Sequence, residues 1–430
     1  MARELRSSGI EWIGDIPRSW KLLKGKYLFR LRNEKGNSIE LQLLSPTQKY
    51  GVIPQQMYEE LSGMTAVKLD DNADLSTFKS IYEGDFCISL RSFQGGFEYS
   101  NYNGVVSPAY QVFYKTTDLC DTYYRYMFKD RGFIEKMTSY TKTFRDGKSI
   151  SFTDFGNSLI PVPPIDEQER IACFLDTECV RVDAVIEQTR ASIEEYKKLK
   201  QSVITQAVTK GIRPDRPMKD SGIEWIGEIP ESYKVERVKH LGSYRNGLTY
   251  TPDDVVDEGQ GTLVLRSSNV QQGKLCFEDN VYVDAEIPER LMVQKGDIII
   301  CSRNGSRELI GKCAIVENDL VASFGAFMMI FRGDSPKYMY YILNSSVFKY
   351  YLSTFLTSTI NQLTGSNFGN MAIVWCNDIS EQNEIVDYLD KETAKIDTLI
   401  SQKETLLAEL ESYKKALIFE YVTGKKEVPA

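Results

Sequence analysis

A stretch of fourteen residues occurs twice in this chain: SGIEWIGDIPRSWK at Ser8 to Lys21 returns as SGIEWIGEIPESYK at Ser221 to Lys234, 213 positions later. A second pair, EQERIACFLDTECVRVDAVI from Glu167 and EQNEIVDYLDKETAKIDTLI from Glu381, aligns without gaps at an offset of 214 and continues to Val208-Thr209 and Val422-Thr423. The chain is therefore ordered as a short segment A, a variable stretch B and a segment C, then A, B′ and C′. This period is far longer than the roughly 20 to 50 residues of solenoid units, so each copy must be a domain with an appended element. Such an internal tandem repeat implies pseudo-twofold symmetry. Between the shared flanks, residues 22–166 and 235–380 differ greatly in sequence yet by one residue in length. The frame is kept while its contents vary.

The C segments read as long helices. Leu175, Val182, Thr189, Tyr196 and Val203 recur every seven residues, interleaved by Cys179, Ile186, Ile193, Lys200 and Ala207. In the second copy Leu389, Ile396, Lys403, Leu410 and Leu417 alternate with Thr393, Ile400, Leu407, Lys414 and Tyr421. This is a heptad seam with polar interruptions. Asp166 and Ser380, ahead of Glu-Gln, suit an N-cap, and Gly211 and Gly424 suit a stop. Some 42 helical residues would span about 63 Å, too long to sit inside one domain of this size. The two helices are expected to pair as an antiparallel coiled coil holding two domains apart; the alternative is that each packs on its own domain. The boundaries are 1–165 and 213–379 for the domains, and 166–212 and 380–425 for the helices.

Within the variable stretches, GDFCISLRS at Gly84 to Ser92 and GDIIICSRN at Gly296 to Asn304 share a Gly-Asp turn, a β-rich run and a closing arginine. The aromatic-rich segments Asp121 to Asp130 and Ser335 to Leu352 carry apolar residues at helical spacing. The fold class is thus α/β (α+β): a twisted sheet in each domain, covered by helices.

Chemistry is hard to place in this chain. With 42% hydrophobic and 26% charged residues it can bury proper cores. No run approaches the ~18 apolar residues of a membrane span and the start lacks a secretory layout, so the expected location is cytoplasmic, with no membrane partner. Eight scattered cysteines without a C-x-x-C pair and one histidine, His240, lack metal-site spacing, and buried reduced thiols are expected. A lone His240 has no triad context. Gly147-Lys148-Ser149 mimics the end of a phosphate loop, but Lys142 stands where its first glycine should be. No G-x-G-x-x-G follows a strand, no Asn-Pro-Pro-aromatic tetrapeptide is present, and Asp146-Gly147-Lys148 lacks the Pro-Asp of a nuclease site. No catalytic, cofactor or metal site is expected.

Matched polar loops remain. Arg91, Ser92 and Gln94 follow the first β-rich run; Arg303, Asn304, Ser306 and Arg307 follow the second. Arginine can bridge guanine O6 and N7, and asparagine or glutamine can pair with adenine. Lys142, Arg145 and Lys148, with Thr359, Asn361 and Gln362 at the corresponding place in the second copy, suit phosphate oxygens, and Arg266, Ser268 and Asn269 form a similar loop. For each, the competing reading is a solvated or salt-bridged surface group. The net charge of −8 excludes a uniformly basic coat but not a local basic groove.

At this point the whole chain resembles the specificity subunit of type I restriction-modification systems. The resemblance is carried by SGIEWIGDIP and SGIEWIGEIP, by Arg91-Ser92-Phe93-Gln94-Gly95-Gly96 and Ser107-Pro108-Ala109-Tyr110, by Arg303-Asn304-Gly305-Ser306, by Asn361-Gln362-Leu363-Thr364-Gly365, and by the Glu-Gln helix openings. It implies two target-recognition domains, each reading half of a bipartite site in double-stranded DNA, with the paired helices as spacer and dock for methyltransferase subunits. It further implies two such modification subunits using S-adenosylmethionine, and motor-nuclease (restriction) subunits using ATP and Mg, while this chain supplies address rather than chemistry. One departure is that Pro161-Val162-Pro163-Pro164 introduces the first helix but Val374-Trp375-Cys376-Asn377-Asp378 the second, so the approach to the second helix is expected to be angled differently. The A segments are expected near the helix ends, closing the repeats into a roughly circular arrangement. A self-contained DNA-modifying enzyme and a coiled-coil protein adaptor are the competing functions.

Overall fold

The computed structural model describes residues 3–36, 42–63, 77–88, 96–140, 150–356 and 361–429. The chain divides into two compact units, Met1–Thr189 with Thr405–Ala430, and Arg190–Glu404. The division runs through the long helices, Ile165–Lys210 and Ile379–Val422, so each unit holds one variable domain, the start of one helix and the end of the other.

The two units share one topology. In the first, β1 (Phe29–Leu31), β2 (Phe86–Ile88), β3 (Phe97–Tyr99) and β4 (Gln111–Lys115) form a sheet in the order β1-β4-β2-β3. In the second, β5 (Ser243–Asn246), β7 (Ile298–Cys301), β8 (Cys313–Ile315) and β10 (Met328–Arg332) repeat it as β5-β10-β7-β8, antiparallel throughout. The second unit adds β6 (Thr262–Leu265) and β9 (Ala322–Phe324), paired in parallel. Continuous apolar runs make these central strands: Phe86, Cys87 and Ile88, and Ile298 to Cys301, are all buried.

The repeated Gly-Asp turns hold a buried charge. Asp85 is 3% exposed and accepts from Arg32 at 2.7 and 3.0 Å and from the amide of Tyr82 at 2.9 Å. Asp297 is fully buried and accepts from Arg332 at 2.6 and 2.7 Å and from the amide of Gln294 at 2.8 Å. The aspartate is kept while the arginine comes from different strands, the end of β1 in one unit and of β10 in the other. Burial raises the Asp85 carboxyl against the pull of Arg32.

The A segments form hairpins, Leu5↔Pro17 and Met218↔Pro230, beside the helix ends. Trp20 donates to Glu167 at 2.9 Å and Arg3 pairs with the same carboxylate; Tyr233 donates to Glu381 at 2.7 Å and Arg216 pairs with it. Burial alone would raise the Glu381 carboxyl, but Arg216, Tyr233 and Arg213 outweigh it and hold it below the usual range. The stop glycines are left-handed, with φ +74° at Gly211 and +72° at Gly424. A Cβ at Gly211 would meet the Tyr233 hydroxyl at 2.9 Å, and one at Gly424 would meet Pro17 at 2.6 Å and Trp20 at 2.9 Å. The repeated motifs are thus explained together: in each unit the A aromatic joins the start of one helix to the end of the other.

One short helix in each unit also clamps both helix ends. In Asp121–Met127, Tyr126 donates to Asp176 at 2.7 Å while Tyr123 donates to the Val422 carbonyl at 2.8 Å. In Pro336–Leu343, Tyr341 donates to Asp390 at 2.6 Å while Tyr338 donates to the Val208 carbonyl at 3.4 Å. The seam is buried where the heptads predict it at Leu175, Cys179, Val182, Ile186, Thr189 and Ile193, and at Leu389, Thr393, Ile396, Leu417 and Tyr421. Two of its three lysine interruptions are ion-paired, Lys414 reaching both oxygens of Asp183 at 2.6 Å in one unit and Lys200 those of Asp397 at 2.6 and 2.7 Å in the other, while Lys403 lies 5.8 Å from the Tyr196 ring centroid. The helix segments in each unit run antiparallel, and they pair with each other as well as packing on their domains.

Three details differ from the sequence reading. The helices begin at Ile165 and Ile379, so Asp166 and Ser380 lie inside the first turn; Asp378 caps the second helix, accepting the Ser380 amide at 2.9 Å. Gln168 anchors on the Pro163 carbonyl at 2.8 Å and Gln382 on that of Cys376 at 2.6 Å, one residue further back in the second copy, which absorbs the altered linker. Five cysteines are buried, among them Cys313, whose thiol burial pushes up to about 12, but Cys120 and Cys276 are half-buried and Cys173 is exposed. Among the described residues, no helix is long and apolar enough to cross a membrane.

Candidate nucleic-acid interface

Three loops distant in sequence meet in the second unit. The amide of Leu363 donates to the Ser302 carbonyl at 2.7 Å, and Arg303 pairs with Gln362 in an isolated antiparallel bridge. Asn304 Nδ2 donates to Ser267 Oγ at 3.0 Å, and Lys312 Nζ to the Ser267 carbonyl at 2.5 Å. The ends of β6 and β7 and the segment before the helix Gly365–Asn370 therefore form one surface.

The side chains on that surface fall into two kinds. Arg303 and Asn361 are exposed, Gln362 is half-buried, and none of the three has a side-chain hydrogen bond or ion pair among the described residues. Adjacent arginine and amide side chains with unused donors can engage base edges or phosphates. Arg307 is exposed, its guanidinium 3.4 Å from the Ser353 carbonyl, and Ser306 is exposed beside it. Other residues hold the loops. Asn304 uses its Nδ2 on Ser267 and its Oδ1 on the Ser306 amide at 2.9 Å. Arg266 pairs with Asp279 at 3.0 Å, and the Ser268 hydroxyl is buried without a partner among the described residues. Asn269 is a correction to the sequence reading: it is fully buried, accepting the Arg266 amide at 2.9 Å and donating to Cys276 and Asp279 carbonyls and the Asn280 side chain, so it shapes the loop and cannot touch a ligand.

In the first unit Arg91, Ser92, Gln94, Lys142, Arg145 and Lys148 lie outside the described residues, as does Thr359 in the second. Their anchor points are nonetheless neighbours: a Cβ on Gly96 would lie 3.1 Å from Ile150 Cδ1, and Gln111 bonds the Ile150 carbonyl at 3.1 Å and the Phe152 amide at 2.8 Å. The described residues that flank these stretches, Gly96 and Ile150, are thus neighbours, as Ser302 and Leu363 are in the second unit.

Two groups on the second-unit surface escaped sequence reasoning. Lys312, immediately before β8, shows no signal in its own neighbourhood. Phe327 sits in FGAFMM, where flanking apolar residues make it look like core. His240 lies at the surface 3.6 Å from Glu236, and no cluster of three or more metal-ligating side chains occurs among the described residues.

No family model matches the chain. It is 25% identical over 301 residues to the type I restriction enzyme MjaVIII specificity subunit of Methanocaldococcus jannaschii, covering 67% of this chain and 68% of that protein. It is 25% identical over 205 residues to the StySPI specificity subunit of Salmonella potsdam, covering 46% of this chain and 44% of the relative, less than half of that protein's length. A solved chain from a study of complex assembly and conformational transition of the type I R-M system has the same fold, with a TM-score of 0.71 at 16% identity over 96% of this chain and 99% of that one.

Proposed function

The chain belongs to the specificity subunits of type I restriction enzymes, and from that premise we propose that its two variable domains, 1–165 and 213–379, each read one half of a bipartite DNA site. The helices, 166–212 and 380–425, set the spacing of the half-sites and dock two methyltransferase subunits, to which motor-nuclease subunits are added for cleavage. The observation that carries this reading is the pairing of Arg303 with Gln362: two side chains of base-reading type, brought together from loops 59 positions apart, with no side-chain hydrogen bond or ion pair among the described residues. Arg307, Ser306 and Asn361 extend the surface toward phosphate. Arg91, Ser92, Gln94, Lys142, Arg145 and Lys148 are proposed for the same work in the first domain.

The same frame carrying unlike loops suits a protein that reads an asymmetric site. This chain contributes no chemistry; methylation of adenine draws on S-adenosylmethionine in the modification subunits, and ATP and Mg belong to the motor-nuclease. The test is to co-express the chain with its methyltransferase partner and map methylated adenines by single-molecule sequencing. A bipartite motif in which one half changes when residues 235–378 are exchanged for those of another such chain supports the reading. One continuous site, or no methylation by a stable complex, overturns it.

A further inference from the structure

We propose that Phe327 reads sequence, its ring seated against the C5-methyl group of a thymine adjacent to the base held by Arg303. The inference rests on the reading of the second unit as a DNA-contacting domain. Phe327 is 58% exposed although its neighbours Phe324, Met328 and Met329 are buried. It sits on a turn closed by the Met328 amide on the Gly325 carbonyl at 2.8 Å and tied to β6 by the Gly325 amide on the Leu265 carbonyl at 2.9 Å. The Phe327 carbonyl accepts three hydrogen bonds, from the amides of Ser302 and Arg303 at 2.9 and 3.1 Å and from Ser302 Oγ at 3.0 Å. The backbone is therefore fixed under the arginine loop while the ring is held out of the core.

Scattered exposed apolar residues need no explanation. Phe327 differs because the Arg303 guanidinium carbon lies 5.1 Å from its ring centroid. Attraction to the π-face spends none of the guanidinium's N–H donors. The ring thus orients Arg303 and leaves its donors for a base. A phenyl group cannot pair with polar base edges, and the major groove offers it one apolar feature, the thymine methyl. An arginine seated on an exposed ring accordingly fits a guanine next to a thymine.

The test uses the full chain with its methyltransferase partner. The wild-type motif is mapped first; failure to find a bipartite motif there overturns the parent reading before any variant is made. Phe327→Ala is expected to relax discrimination at one T·A pair of the half-site assigned to the second domain, leaving the other half-site unchanged, while Phe327→Leu keeps the preference. In binding to duplexes with each thymine of that half-site replaced in turn by deoxyuridine, the wild type should lose about four-fold in affinity at one position, the size expected for one buried methyl group, and Phe327→Ala should lose nothing further there. A half-site without thymine, equal sensitivity of wild type and Phe327→Ala to deoxyuridine, or a uniform fall in binding at every position would overturn the proposal.

Discussion

Asp297 is fully buried and gives both carboxylate oxygens to Arg332. Arg332→Met would leave that charge in the interior without its partner, a change expected to cost about 3–5 kcal/mol; the urea midpoint of the second unit should fall accordingly, and an unchanged midpoint would show that Asp297 draws its support elsewhere. Glu98 on β3 is 1% exposed and held by Lys129 at 2.6 Å on both oxygens, yet burial pushes its carboxyl up to about 7, with Lys129 opposing. Because the folded value lies above the unfolded one, the stability it contributes is present at low pH and is lost as pH rises toward about 7. Glu98→Gln should therefore gain on the wild type between pH 5 and pH 8, by about 3 kcal/mol at most. Hydrogen exchange at Phe97–Tyr99 measures this, and an equal difference at both pH values would refute it. Such residues show how far the sequence can be read. The two Gly-Asp turns were legible, but the arginine completing each comes from a different strand, which no local pattern encodes. Asn269 and Phe327 were misjudged or missed for one reason: a polar residue in a loop looks exposed and a phenylalanine among methionines looks buried until the turns are placed.

At the scale of elements, the seven-residue spacing gave the seam directly, because burial follows helical geometry whatever the domains do. Lys200 and Lys414 stood in that pattern as interruptions, since a partner on the other helix cannot be read from one helix alone. Their pairing with Asp397 and Asp183 repeats the same arrangement in each unit. These pairs are half-exposed, so each is worth little in itself and acts mainly on register. A double-mutant cycle on Lys200→Ala and Asp397→Ala should give a coupling of about 0.5–1 kcal/mol that shrinks at high salt; a coupling near zero would assign the register to the apolar seam alone. The Glu-Gln openings and the Trp20 and Tyr233 positions were each visible as repeats. Their contact was not inferred, although two motifs repeated at nearly the same offset are candidates to touch.

For the molecule as a whole, covalent order and folding units diverge: the last turns of the second long helix belong to the core of the first unit. Leu417, Tyr421 and Val422 are buried there with Trp20 and Tyr123, and the Val422 carbonyl receives the Tyr123 hydroxyl. A chain stopped after Glu404 keeps every residue of the second unit but strips these side chains from the first. At roughly 1.5–3 kcal/mol for each large apolar group withdrawn from water, the loss is on the order of 5 kcal/mol, comparable to the whole stability of an ordinary domain. Hydrogen exchange should therefore collapse in Asp121–Met127 and β4 while Ile298–Cys301 stays protected. Uniform loss in both units would mean that they fold as one cooperative body, and no loss in the first would mean that its core closes without the returning helix. The expected split follows from the duplication itself. Two copies of one plan in a single chain can satisfy the same contacts only if each domain takes the start of its own helix and the end of the other, so the first domain must wait for the last residues of the chain.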